Sequence, residues 1–212
     1  VRLHLASTSP ARLMLLRSAG IEPLTHAPGV DEDAVAAAAA QAQGAPLTPE
    51  RMVELLARAK AEAVVEATGV QGLVLGGDSM FVLDGAIYGK PHTPSVARER
   101  WGLQRGRTGS LYSGHWLIDT TDAGHPLAVG AVAVAQVTFA DDISDAELDA
   151  YIASGEPLFV AGAFTIDSLG APFITHVDGD PSTVVGLSLP TLRRLVRSLG
   201  HEWTALWNRP RA

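Results

Sequence analysis

No cysteine occurs among the 212 residues. Disulfides, thiolate–zinc sites and a cysteine nucleophile are therefore excluded. Charge is sparse as well: 18% of residues carry it, with a net value of -7. Such a chain has no general affinity for nucleic acid or for an anionic membrane, both of which require a basic face, so neither is expected as a partner. An anionic substrate would have to be held by a local cluster of basic groups or by a bound cation. The seven histidines lack any metal-ligand spacing such as HExxH, which argues against histidine-bound zinc. Long apolar runs are missing too. The stretch Leu127 to Phe139 is too short to span a bilayer and carries Gln136. Polar residues interrupt the amino terminus from Ser7 onward with no cleavage site after them, so the cytoplasm is the expected compartment. Three nucleotide and hydrolase signatures are absent. Gly85 to Lys90 is one residue short of a P-loop, with Pro91 in place of Ser/Thr. There is no dinucleotide GxGxxG with its acid, and no GxSxG around a serine.

What is present is an ordinary globular composition, 47% hydrophobic, with length enough for a sizeable core. No linker, repeat or charge block divides the chain, so a single domain over 1–212 is expected. The chain is organised around Gly76-Gly77-Asp78-Ser79 and Gly89-Lys90-Pro91. Leu73-Val74-Leu75 reads as a buried strand ending in two glycines and an acid, where open α/β sheets hold ligands. Met80 to Leu83 and Ala86 to Tyr88 flank Asp84-Gly85, a strong hairpin signal that would fold Lys90 back towards Asp78. The glycines then read in two ways: a tight turn beside a solvated Asp and a surface Lys, or a loop whose N–H groups are open to a ligand.

Arg2 to Ala6 is a short strand running into Ser7-Thr8-Ser9-Pro10. Arg12 to Ala19 follows as a helix, with Ser9 as N-cap, Pro10 at its first position and Gly20 as its stop. The hydroxyl-rich turn and helix start form a ready anion site, and an anion there would relieve the unfavourable placement of Arg12 in the first turn. Val30-Asp31-Glu32-Asp33 is a solvated turn, a helix start or an oxygen donor set for a hard cation such as magnesium. An alanine-rich, low-complexity segment, Ala34 to Ala42, comes next. Pro49 to Ala67 is a helix with Met52, Leu55, Leu56, Ala59, Ala63 and Val64 on its buried side. Lys60 sits on or beside that stripe, and either snorkels to water or reaches into a cleft.

Pro94 to Arg105 is a further helix, and Leu111 to Ile118 and Leu127 to Phe139 alternate like antiparallel strands. Ser144 to Glu147 is a capping box, which assigns Glu147 to structure. Ala161 to Gly170, rich in small residues and carrying Asp167, permits close backbone approach between segments or to a flat ligand. Phe173 to Val177 is a strand and Leu189 to Leu199 a final helix. Trp203 and Trp207 are expected to pack on the core or on a partner subunit. The candidates together are one Arg, two Lys, two or three acids and two N–H clusters, a mixture suited to phosphate chemistry.

In its ordered motifs the sequence resembles the Maf nucleoside triphosphate pyrophosphatases, named for their link to septum formation. The motifs are Leu5-Ala6-Ser7-Thr8-Ser9-Pro10-Ala11-Arg12, Val30-Asp31-Glu32, Ala57-Arg58-Ala59-Lys60-Ala61, Gly77-Asp78-Ser79 and Gly89-Lys90-Pro91. Tyr151 with Gly155-Glu156-Pro157, Ala161-Gly162-Ala163-Phe164 and Val184-Val185-Gly186-Leu187 complete the set. The resemblance implies an α/β fold with an elongated mixed β-sheet flanked by helices, and two lobes with a central cleft, in the Maf/ITPase-like manner and commonly as a homodimer. It implies hydrolysis of a nucleoside triphosphate between the α and β phosphorus atoms, dependent on a divalent cation, Mg2+ or Mn2+. By the same resemblance Ser7, Arg12, Lys60 and Lys90 would hold the triphosphate. Glu32 and Asp78 would bind metal, and Asp78 could also activate the attacking water. The alternative is a nucleotide-binding regulator of septum formation without turnover.

Two positions depart from the family pattern. The subgroup selective for dTTP and UTP has arginine where this chain has Ala11, and glutamine where it has Asp167. The subgroup acting on 7-methyl-GTP typically has an aromatic residue and an acid. Asp167 is similar to the second subgroup and Ala11 to neither. An ionised carboxylate only accepts hydrogen bonds, so Asp167 is expected to favour donor-rich base edges over thymine.

Overall fold

Short apolar runs and capped helical segments alternate along the chain. In the computed structural model, which describes residues 1–209, they form an α/β fold. The strands are β1 (Leu3–Ala6), β2 (Leu24–His26), β3 (Leu73–Leu83), β4 (Ala86–Tyr88), β5 (Thr108–Asp119), β6 (Leu127–Phe139) and β7 (Ile174–Asp178). They hydrogen-bond in the order β2-β1-β3-β5-β6-β7, with β4 on β3. The sheet is mixed: β1 runs parallel to β2 and β3, with Leu5 opposite Leu75 and Ala6 opposite Gly76. Both the β3–β4 and β6–β7 pairs are antiparallel.

Helix α1 (Pro10–Ser18) starts at the Ser9 cap, and Gly20, at φ +85°, ends it in the left-handed region. The alanine-rich segment is itself a helix, α2 (Glu32–Gln43). Alanine has the highest helix propensity, Asp31 accepts the Ala34 N–H at 3.0 Å, and Gly44 closes the end. Helices α3 (Pro49–Thr68) and α4 (Pro94–Gln104) each begin with a threonine cap and a proline. The expected capping box opens α5 (Asp145–Ala153), and α6 (Pro181–Val185) and α7 (Leu189–Ser198) complete the set.

The residues group into two compact units, each discontinuous in sequence. The first comprises Val1–Asp78, Ser113–Ala133 and the chain from Gly186 onward. Its core is aliphatic, with Leu5, Leu16, Leu73, Leu75, Leu117 and Leu192 fully buried, and Trp203 packs at its margin. Trp207 is half exposed and lies against Gly20. The second unit comprises Ser79–Tyr112 and Val134–Val185, and its core is aromatic. Phe139 meets Phe164 and Trp101 edge-on, at centroid distances of 4.9 and 5.3 Å. The Trp101 Nε1–H donates to the Ala163 carbonyl at 2.9 Å, which satisfies the one polar atom of that buried ring. Among the described residues no helix is long and apolar enough to cross a membrane.

Two expectations are corrected here. Strand β3 does not end at Leu75; it continues through both glycines and Asp78 to Leu83, so Gly76 and Gly77 are strand residues and not a ligand-binding loop. Their lack of side chains serves packing. A Cβ on Gly76 would lie 2.0 Å from the Ala57 carbonyl oxygen, and one on Gly77 would lie 3.0 Å from Arg12 Nε. The buried face of α3 is also rotated from the one read from sequence. Val53, Leu56, Ala57, Lys60, Ala61 and Val64 are buried, whereas Met52, Leu55, Ala59 and Ala63 are only partly covered. Small Ala57 and Ala61 allow the close approach to β3, and that places Lys60 in the middle of the buried face.

Candidate active site

The site in the first unit is built from the ends and faces of five elements. Ser7 follows β1, Arg12 lies in the first turn of α1, Glu32 opens α2, Lys60 is on the buried face of α3, and Asp78 is on β3. The structure brings these five expected residues together. Lys60 Nζ lies 2.7 Å from Asp78 Oδ1 and 2.8 Å from Glu32 Oε1. Lys60 and Asp78 are 7% and 8% exposed, whereas the Glu32 side chain is about half open at 51%. Lys60 therefore reaches into a charged cluster and does not snorkel to water. Asp31 and Glu32 divide the labour of the acidic turn: Asp31 caps the helix and Glu32 faces the lysine.

Arg12 is buried alongside. Its Nε donates to the Gly186 carbonyl at 2.8 Å and its Nη1 to Ser7 Oγ at 3.2 Å, while Ser7 Oγ also accepts the Ser9 N–H at 3.1 Å. Burial pulls the Arg12 guanidinium below its ordinary pKa, and the charges of Asp78 and Glu32 counter that pull. For Asp78 burial is again the leading cause. It pushes the carboxyl above the usual range against the opposing influence of Lys60 and Arg12. Burying an arginine, a lysine and an aspartate in one place is costly for stability, and such clusters are characteristic of sites that handle charge.

A pocket of about 220 Å³ opens beside this cluster at the start of α1, lined by Ser7, Thr8 and Ser9 and by Thr25 and His26 of β2. His26 is held there by His4. The His4 Nε2–H donates to the Gln71 carbonyl at 3.3 Å, so its Nδ1 accepts from His26 Nε2 at 3.0 Å.

Lys90 and Asp167 belong to the second unit. The hairpin forms as read: Asp84 and Gly85 both take positive φ, 51° and 78°, as a type I′ turn requires, and Phe81 pairs with Tyr88. Lys90 is an exposed residue just after β4, and Asp167 is exposed within the loop after Phe164. That loop depends on a residue to which the sequence assigns no chemistry, Glu156. Its carboxylate accepts from Ser168 Oγ at 2.6 Å, Gly170 N–H and Tyr151 OH at 3.1 Å, Leu169 N–H at 3.2 Å, and Thr165 Oγ1. Four of those donors lie nine to 14 residues further along the chain, beyond the reach of any local spacing rule. Burial raises the Glu156 pKa, but the bonds from Ser168, Thr165, Leu169 and Tyr151 outweigh it and hold the carboxyl below its ordinary range. Gly186 was legible only as part of a motif; its carbonyl fixes Arg12 from 174 residues away.

Two carboxylates with no histidine or thiolate suit a hard cation that completes its shell with water and phosphate oxygen. Among the described residues there is no group of three or more His, Cys, Asp or Glu that could hold a metal ion, so a cation here would depend on water and phosphate oxygen for the rest of its shell.

The chain is similar to known proteins over nearly its whole length. A chain from Leifsonia xyli named nucleoside triphosphate pyrophosphatase is 66% identical over 99% of this chain and 98% of its own length. Proteins of the same name from Rhodococcus opacus and Saccharopolyspora erythraea are each 47% identical, covering 96% and 99% of this chain and 94% and 99% of their own lengths. The family described as Maf-like protein matches residues 2–199, and the chain belongs to that family.

Proposed function

We propose that this chain hydrolyses nucleoside triphosphates to nucleoside monophosphate and pyrophosphate, with a divalent cation, magnesium or manganese. The observation that carries the reading is the buried Lys60 ammonium shared by Glu32 and Asp78, in the unit that also buries Arg12 against Ser7. In this reading Arg12, Ser7 and Lys60 hold triphosphate oxygens. Lys90 and Asp167 of the second unit are assigned, on the family resemblance, to phosphate and to base. Glu32 and Asp78 would hold the cation, which supplies charge neutralisation at the phosphate oxygens.

The chain's own groups account for the rest. Arg12 presents a planar fork suited to two phosphate oxygens at once. Lys60, already centred between two carboxylates, opposes the pull of burial on the Asp78 charge. Asp78 orients a water and accepts its proton as the water oxygen bonds to the α phosphorus and the bridging oxygen departs with pyrophosphate. The enzyme acts as a cytoplasmic homodimer that removes modified or non-canonical nucleotides from the pool.

The test is pyrophosphate release from canonical and modified triphosphates with magnesium or manganese, for the wild type beside Asp78→Asn. Metal-dependent release that the variant loses supports the proposal. Binding of triphosphate without release from any of them overturns it in favour of a nucleotide-responsive regulator.

A further inference from the structure

We infer that His115 is a positioning residue for Arg12, acting through the turn at Gly186–Ser188. The inference rests on the reading of Arg12 as a triphosphate ligand. His115 lies on β5 and is fully buried. Its Nε2 accepts the Ser188 N–H at 2.8 Å. A ring nitrogen that accepts carries no proton, so the proton sits on Nδ1, which faces the Ala131 carbonyl at 3.3 Å and donates to it. The imidazole is thus neutral and held in one tautomer.

That bond fixes one end of a short, heavily constrained turn. Ser188 is the N-cap of α7, its Oγ accepting the Thr191 N–H at 3.2 Å. Leu187 is fully buried in the aliphatic core. Gly186 takes φ +119°, a conformation that side-chain-bearing residues rarely adopt, and its carbonyl receives Arg12 Nε at 2.8 Å. The guanidinium is a rigid fork, so the direction of its Nε bond sets where its two terminal nitrogens point. A change at Ser188 therefore passes through two residues to the orientation of the fork.

The experiment exploits the difference between the two amide side chains. His115→Gln can place an acceptor oxygen where Nε2 stands. His115→Asn is shorter, reaches only the Nδ1 position, and leaves the Ser188 N–H without this acceptor. Steady-state pyrophosphate release is measured with the triphosphate that the wild type turns over best, and folding is checked by thermal denaturation. The expected result is a fall in kcat/KM of about tenfold to a hundredfold for His115→Asn, carried mainly by KM, with His115→Gln close to wild type. In an Arg12→Lys background, which lacks the Nε donor to Gly186, His115→Asn adds no further loss. Equal losses in both backgrounds, or indistinguishable Asn and Gln variants, overturn the inference and leave His115 a purely structural residue. If Arg12→Ala collapses activity while His115→Asn does not, this inference alone falls. If Arg12→Ala keeps wild-type kcat/KM, the reading of Arg12 is wrong and the inference falls with it.

Discussion

A buried lysine between two carboxylates is stable only while the three charges stay together. Removing the ammonium by Lys60→Met leaves Asp78, 8% exposed, with one partner fewer in a desolvated place. Breaking a buried pair in this way costs about 3–5 kcal/mol, and chemical denaturation should show a loss of that order together with loss of pyrophosphate release. The same change in an Asp78→Asn background should cost clearly less, because no buried carboxylate is then stranded; an equal cost in both would mean that the pair is not coupled. Gly76→Ala is predicted to destabilise by about 3 kcal/mol through overpacking, since the new Cβ would meet the Ala57 carbonyl at 2.0 Å. A denaturation midpoint within error of wild type would contradict this. At this scale Ser7, Arg12, Glu32, Lys60 and Asp78 could all be picked out from residue type and motif order. The two readings of Lys60 could not be separated, because the choice depended on how closely α3 approaches β3.

At the scale of elements, the loop after Phe164 has no ladder of its own, and one carboxylate accepts four of the bonds that hold it. Glu156→Gln replaces an acceptor-only group by one that also carries donors, and several of its five partners lose their acceptor. Faster hydrogen exchange at Leu169 and Gly170 is expected, with blurred discrimination among bases and intact secondary structure; unchanged exchange would show that the loop is held otherwise. The Glu156 pKa is depressed in the folded state. Its stabilisation is therefore complete above the ordinary carboxylate range and lost as pH falls below about 4. Exchange in this loop should rise on that acid limb before the cores of either unit open. Caps and turn residues made most element boundaries legible: Ser9-Pro10, Asp84-Gly85 and the Ser144 box all stand where their chemistry places them. The face of α3 and the continuity of β3 were not, since glycine within a strand looks the same as glycine at its end until the neighbouring backbone is known.

For the molecule as a whole, the base preference is the property most open to test. Asp167→Gln is predicted to raise the rate on dTTP and UTP relative to guanine and cytosine triphosphates by about tenfold or more, because an amide can both donate and accept where a carboxylate only accepts. An unchanged preference across the panel would remove Asp167 from specificity. Chelation of divalent cations should abolish turnover and added magnesium or manganese restore it; activity that survives chelation would count against Glu32 and Asp78 as cation ligands. Composition, caps and ordered motifs were enough to determine the α/β class, the family and the identity of the charged residues, because these depend on local chemistry read along the chain. Only the tertiary structure decided that Gly76 and Gly77 are packing residues, that Lys60 is shared by Glu32 and Asp78, and that Gly186 holds Arg12. Those facts depend on backbone approaches of a few ångströms between segments far apart in sequence, and no periodicity or motif encodes such distances.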